Sequence, residues 1–317
     1  MSDQNQHHLD ENELAQMTEN LNKSLTSNPI NEDEIVHILN NTTNADRLII
    51  REMYKRLYNH PIQNDISDKL SYKFKDLCIC LFDSCYEYDA RELHRAIHSF
   101  ILFNEDKTIC EILVTRPKWY LEIVDKVYEK FFGISLSQDI AKETSGDFKN
   151  YLTAILENER NEGQTISTEQ AYDIAKQLYE KKAKNWGKDL DMFKSIFATK
   201  SREDLTLIAR AYFELYQKNL YDAADDVSGD NRKLIKAVIF GVINPSEWFA
   251  RKAFEAVQGL GTDTNTLNRV VVGRAEIDMP AIRDYYHMIR NKDIKDDVVG
   301  DTSGSYGKVM AALTQKF

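Results

Sequence analysis

The chain is poor in the residues that interrupt regular structure: 317 positions hold only five prolines and twelve glycines. With abundant Leu, Ile, Lys, Glu and Ala, that scarcity favours a mostly helical protein. Long apolar runs are also missing. The longest, around 78–82 and 237–243, are far too short to cross a bilayer. An excess of positive charge is missing too: 51 Asp and Glu stand against 41 Lys and Arg, a formal net charge of −10. Such a chain is a poor electrostatic match for nucleic acid or for a bare anionic membrane. If it meets acidic lipid, a bound cation such as calcium must first neutralise its carboxylates.

The amino terminus is polar and acidic with no apolar stretch, so no secretory signal is expected, and neither end carries a lipidation pattern. Cys78, Cys80, Cys85 and Cys110 are therefore expected to remain thiols in a reducing cytosol. The chain contains no GxSxG, Walker A or HExxH string, and it is expected not to be an enzyme.

What is present is repetition. Ser145-Gly146, Ser228-Gly229 and Ser303-Gly304 each follow an acidic residue two positions earlier and precede an apolar helical run. A weaker copy passes through Ser71, so the steps from one serine to the next are 74, 83 and 75 residues. Within the last copy the 3–4 spacing predicts helices near 246–257, 263–273, 277–290, 292–299 and 303–315, five per unit. Thr262 and Asp263 are suited to cap the second of these, and Ser303 the fifth. The polar stretch 157–168 reads as a linker between two halves of two units each. The expected division is a flexible head at 1–10, then repeats at 11–86, 87–160, 161–243 (linker included) and 244–317.

The most specific motif is Gly259-Leu260-Gly261-Thr262-Asp263, answered forty residues after Gly261 by Asp301 in the string Asp-Thr-Ser-Gly. A two-glycine loop can bring its carbonyls together, and a returning carboxylate can complete an oxygen cage for a hard cation. Four units of this size carrying these two strings resemble the annexins. The resemblance runs from about residue 11 to the carboxyl terminus. It implies an all-α fold of four five-helix repeats arranged as a curved disc. It also implies calcium in the loop after each first helix, completed by a carboxylate from before each fifth helix, with acidic phospholipid bound through the metal.

Carried over unit by unit, the resemblance implies a complete site in the fourth repeat: the carbonyls of Val257, Gly259 and Gly261 with Asp301, and Leu260 at the membrane. In the third it implies an altered site from Ala183, Asn185, Gly187 and Asp226, with Trp186 and Lys188 placed to touch lipid. The second repeat keeps its acid, Glu143, but His98-Ser-Phe-Ile-Leu-Phe103-Asn104 replaces the glycine loop, and the apolar cluster 100–103 could insert into lipid or pack on a partner. In the first, Lys69 falls where the carboxylate belongs and the metal site is lost. One good site with eroded partners also resembles the giardins of some protists.

Several features have plainer readings. Asp293, Asp296, Asp297 and Asp301 do not make an EF-hand, because Val298 and Gly304 occupy its glycine and glutamate positions. Trp186 reads as exposed at a loop tip, whereas Trp119 and Trp248 read as packing residues inside helices. Cys78 and Cys80 read as core, and Cys85 as the better candidate for a reactive thiol. His7, His8, His37, His60, His94, His98 and His287 are scattered without a catalytic partner and read as surface or satisfied core residues. The expected function is calcium-dependent binding to acidic, phosphatidylserine-like phospholipid on the cytoplasmic face of membranes, with self-assembly there and a role in membrane organisation or trafficking. The alternative is a giardin-like scaffold with a cytoskeletal partner and reduced calcium dependence.

Overall fold

A computed structural model describes residues 9–99, 105–161, 163, 165–229, 231–259 and 261–316. Among these residues every regular element is helical. The chain forms two compact units, one of Met1–Cys85 with Phe249–Phe317 and the other of Tyr86–Trp248.

In the first unit, five helices (Glu11–Thr26, Glu32–Asn40, Asn44–Tyr58, Ile62–Lys69 and Tyr72–Phe82) are joined by the last five of the chain. Those are Pro245–Val257, Thr264–Arg274, Met279–Arg290, Ile294–Asp301 and Gly304–Leu313. Capping boxes start two of them: Asp10 with Glu13, and Thr43 with Asp46. Leu21, Ile38, Ile50, Leu77, Leu267 and Ile282 are fully buried; each such aliphatic side chain contributes roughly 1.5–3 kcal/mol. The buried Arg47 guanidinium donates to Leu81 and Thr42 carbonyls at 2.9 and 2.6 Å and reaches Glu276 at 3.4 Å.

In the second unit, one five-helix set reads Cys85–Ile97, Glu105–Thr115, Lys118–Phe132, Leu136–Glu143 and Gly146–Glu157. The other set is less regular. Thr168–Lys181 leads into a 3-10 segment, Ala183–Lys188, and its second and fifth helices end in π-helical turns at Phe193–Ala198 and Val238–Val242. Arg116 and Asp89 form a buried bidentate pair at 2.7 and 3.1 Å, joined by the Tyr120 hydroxyl at 3.0 Å.

The third helix of every set ends on a residue in the left-handed region: Asn59, Gly133, Gln217 and Asn291, with φ of 61, 73, 51 and 54°. Each of these N–H groups returns to the carbonyl four residues earlier, closing the helix before the chain turns. The Ser-Gly repeat has a similar cause. Gly146, Gly229 and Gly304 have φ of 61, 74 and 63°, a kink from which the fifth helix starts. Ser303 stands at the cap position of the last helix, but its side chain makes no capping bond. Its share of the motif is the extended backbone before the kink.

Candidate metal centre

The loop of the last repeat begins where Pro245–Val257 ends. Gly259 and Gly261 take φ of +123 and +88°, conformations that residues with a Cβ rarely adopt. The Asp263 N–H closes the loop on the Ala256 carbonyl at 2.9 Å. Asp263 then caps Thr264–Arg274, accepting from the Thr266 N–H at 3.1 Å and its hydroxyl at 2.8 Å. Thr262 does not cap; its hydroxyl donates to the Asp301 carbonyl at 3.0 Å, joining the two halves of the motif across 39 residues. Asp301 ends its helix rather than following it, which places the carboxylate at the negative end of the helix dipole.

These groups fit a hard cation. Oδ2 of Asp301 is buried and has no hydrogen-bond partner among the described residues. Leaving such an atom unpaired costs on the order of 1–3 kcal/mol, and more when it is charged. Gly259 and Gly261 are exposed, and no hydrogen bond among the described residues reaches their carbonyls. A buried bare carboxylate oxygen on a residue that Thr262 ties to a loop of exposed glycines is a donor set that suits calcium, which takes about six to eight oxygens. Leu260 lies outside the described residues.

The third set is differently arranged. Gly187 is buried and its carbonyl accepts from the Asn231 side chain at 2.7 Å. A Cβ at Gly187 would meet Asn231 Cβ at 3.0 Å and Val227 at 3.1 Å, so this glycine permits a close approach. The Asp226 carboxylate is exposed and paired with Lys218 at 3.1 Å. Ala183 and Asn185 lie in the 3-10 segment, where the Asn185 amide donates to the Lys181 carbonyl at 2.8 Å. In this arrangement Gly187 and Asp226 are engaged elsewhere rather than turned to a common ion. Lys188 is exposed.

Trp186 requires a correction. It is fully buried, its indole N–H donating to the Leu178 carbonyl at 2.9 Å and its ring lying against Phe197 and Tyr212. The 3-10 segment folds the loop tip inward, because an indole with a carbonyl in reach is more stable in the core than in water. Trp119, expected to pack, is instead 59% exposed. It sits in the first turn of Lys118–Phe132, on the face away from the core.

In the first repeat the Ser27 hydroxyl occupies the loop, within donating distance of the Ser24 or Pro29 carbonyl at 2.8 and 2.9 Å and accepting from the Asn31 N–H at 3.1 Å, and Lys69 is exposed. In the second, Glu143 ends its helix paired with Lys142 at 3.0 Å; Phe100–Phe103 and Asn104 lie outside the described residues. Cys78 is buried, which pushes its thiol well up, and Cys85 is exposed.

Sequence reasoning missed a recurring tie between third and fourth helices. Tyr54 donates to Asp65, Tyr128 to Asp139 at 2.5 Å and Tyr286 to Asp297 at 2.8 Å, always eleven residues apart. An imidazole or guanidinium completes each pair: His60 at 2.7 Å, His98 at 2.8 Å and Arg290 at 3.1 Å. Burial would raise the three carboxyls, but the hydrogen bonds outweigh it and hold all of them below the usual value. The Tyr–Asp spacing was visible in the sequence, though no one chemistry calls for it. In the third repeat Tyr212 faces Ala223 at the same spacing, and the tie is absent.

A protein-family model described as Annexin matches residues 16–81, 88–155, 173–238 and 249–313. Human annexin A13 is 31% identical over 294 residues, covering 92% of each chain. The structure of calcium-bound annexin (Sm)1 aligns with a TM-score of 0.81 at 27% identity, over 96% of this chain and 90% of that one. Calcium-bound alpha-14 giardin aligns with a TM-score of 0.79 over 95% of this chain and 99% of that one, at 16% identity, a likeness of fold.

Proposed function

The chain belongs to the annexin family, and from that premise we propose that it binds acidic phospholipid in a calcium-dependent way through the loop of its last repeat. The observation that carries the reading is the buried, unpartnered Oδ2 of Asp301, on a residue tied through Thr262 to a loop whose two described glycines are exposed. The carbonyls of Val257, Gly259 and Gly261 with the Asp301 carboxylate would hold the ion. Calcium supplies a positive charge able to bind protein oxygens and lipid phosphate at once.

The division of labour among residues follows. Gly259 and Gly261 hold the backbone where no Cβ-bearing residue is at ease, Thr262 fixes the spacing to Asp301, and Asp263 anchors the helix beyond. So few protein oxygens leave positions for water or lipid phosphate, so affinity is weak in solution and stronger at a membrane. A net charge of −10 disfavours an acidic surface until the ion binds, which makes adhesion conditional on calcium. Phosphatidylserine on the cytoplasmic face is the proposed lipid, and membrane organisation or trafficking the proposed role.

The test is pelleting with phosphatidylserine liposomes across a calcium titration, comparing wild type with Asp301→Ala. The variant is expected to need about tenfold more calcium or more, a loss of roughly 1.4 kcal/mol or above. Pelleting unchanged in the variant would move the site elsewhere. No wild-type pelleting at millimolar calcium would sink the membrane reading and favour a scaffold, to be sought by cosedimentation with actin or microtubules in chelator.

A further inference from the structure

We propose that His94, His98 and Asp139 form a binding site for a divalent transition-metal ion of the zinc class, in the unit that does not carry the Asp301 loop. Each residue offers one donor atom, and these atoms lie within 4.8 Å of one another. His94 and His98 are one helical turn apart, the His98 N–H bonding to the His94 carbonyl at 3.0 Å, so both imidazoles leave the same face. Asp139 comes from Leu136–Glu143, 41 residues on, and its Oδ2 meets His98 Nε2 at 2.8 Å.

The surroundings hold these groups as outer partners hold metal ligands. The Tyr128 hydroxyl donates to Asp139 at 2.5 Å and fixes the carboxylate. The His94 ring lies flat on Phe132, 3.7 Å between centroids at 12°, and beside His98 at 4.4 Å. Neither ring nitrogen of His94 has a hydrogen-bond partner among the described residues, so this imidazole is placed without being used by the tie.

The donor set selects the metal. Two imidazoles and one carboxylate suit zinc and its neighbours, whereas calcium prefers oxygen alone. Zinc–nitrogen bonds of about 2.0–2.1 Å put tetrahedral ligands roughly 3.3 Å apart, so the widest separation must close by about 1.5 Å while the 2.8 Å His98–Asp139 hydrogen bond opens and its proton leaves to solvent. Rotation of the half-exposed His94 and exposed His98 side chains supplies that. The fourth position is left for water. The other ties lack a second imidazole: Asp65 has His60 alone and Asp297 has Arg290.

The test is zinc titration of the full chain by calorimetry in saturating calcium, with cobalt absorption to read the ligands. Wild type is expected to bind one zinc at this site. His94→Gln and His98→Gln should each weaken it by more than the roughly 10–100-fold expected for Tyr128→Phe, which removes only an outer partner. A His7→Gln/His8→Gln double variant should retain it, and cobalt should give tetrahedral bands without thiolate charge transfer. Thermal melts of the metal-free variants check folding, and His94→Gln, which breaks no hydrogen bond, keeps the question answerable if His98→Gln unfolds. Absence of zinc binding in wild type, unchanged affinity in folded His94→Gln, loss only in the head variant, or thiolate bands with cobalt would each overturn the site.

Discussion

Tyr72 stands where the other three repeats carry glycine before the fifth helix, and it takes φ of 52° there while 85% exposed. A left-handed conformation costs a residue with a Cβ roughly 1–2 kcal/mol. Glycine would relieve that and give back about 0.5–1 kcal/mol as chain entropy. Tyr72→Gly is therefore expected to stabilise the protein by about 0.5–1 kcal/mol in urea unfolding; a loss would mean that the ring is in use. In calcium-free protein Trp119→Phe should remove most acrylamide-quenchable fluorescence, because Trp186 is 0% and Trp248 8% exposed. Strong quenching that survives the change would restore an exposed Trp186.

Between helices, polar ties carry the specificity. The buried Arg116–Asp89 pair binds the turn after Glu105–Thr115 to Cys85–Ile97. Asp89→Ala would remove the bidentate carboxylate from that buried guanidinium, with an expected cost of about 3–5 kcal/mol; a cost under about 1 kcal/mol would show that its other contacts or water take over. The Tyr–Asp ties set an acid dependence. Asp65, Asp139 and Asp297 have folded values below their ordinary 3.8. Their contribution is therefore present above 3.8 and is lost as the pH falls through the lower folded values. Tyr286→Phe removes one of these hydrogen bonds and should move acid unfolding to higher pH. His60 acts in the opposite sense: Asp65 raises its value above 6.5, so its share is present below 6.5 and lost as the pH rises through the folded value.

For the whole molecule, calcium should act as a ligand of the folded state alone. At a free concentration one hundred times its dissociation constant it would add about 2.7 kcal/mol, read as a rise in Tm that Asp301→Ala abolishes. A rise retained in that variant would place the stabilising ion in another repeat.

The sequence by itself determined the helical class, the four-fold repetition and the candidate loop. Those signals are local: apolar residues at 3–4 spacing, glycine where φ turns positive, and a carboxylate at a fixed distance from a glycine pair. Only the tertiary structure decided which groups are free to act. Gly187 looks like a loop glycine in sequence, yet its carbonyl is taken by Asn231 from 44 residues away. Trp186 looks like a loop tip, yet the chain folds it against Phe197 and Tyr212. His94 and His98 look scattered until Asp139 arrives from another helix. Burial and hydrogen-bond partnership belong to pairs distant along the chain, and a local pattern carries no record of them.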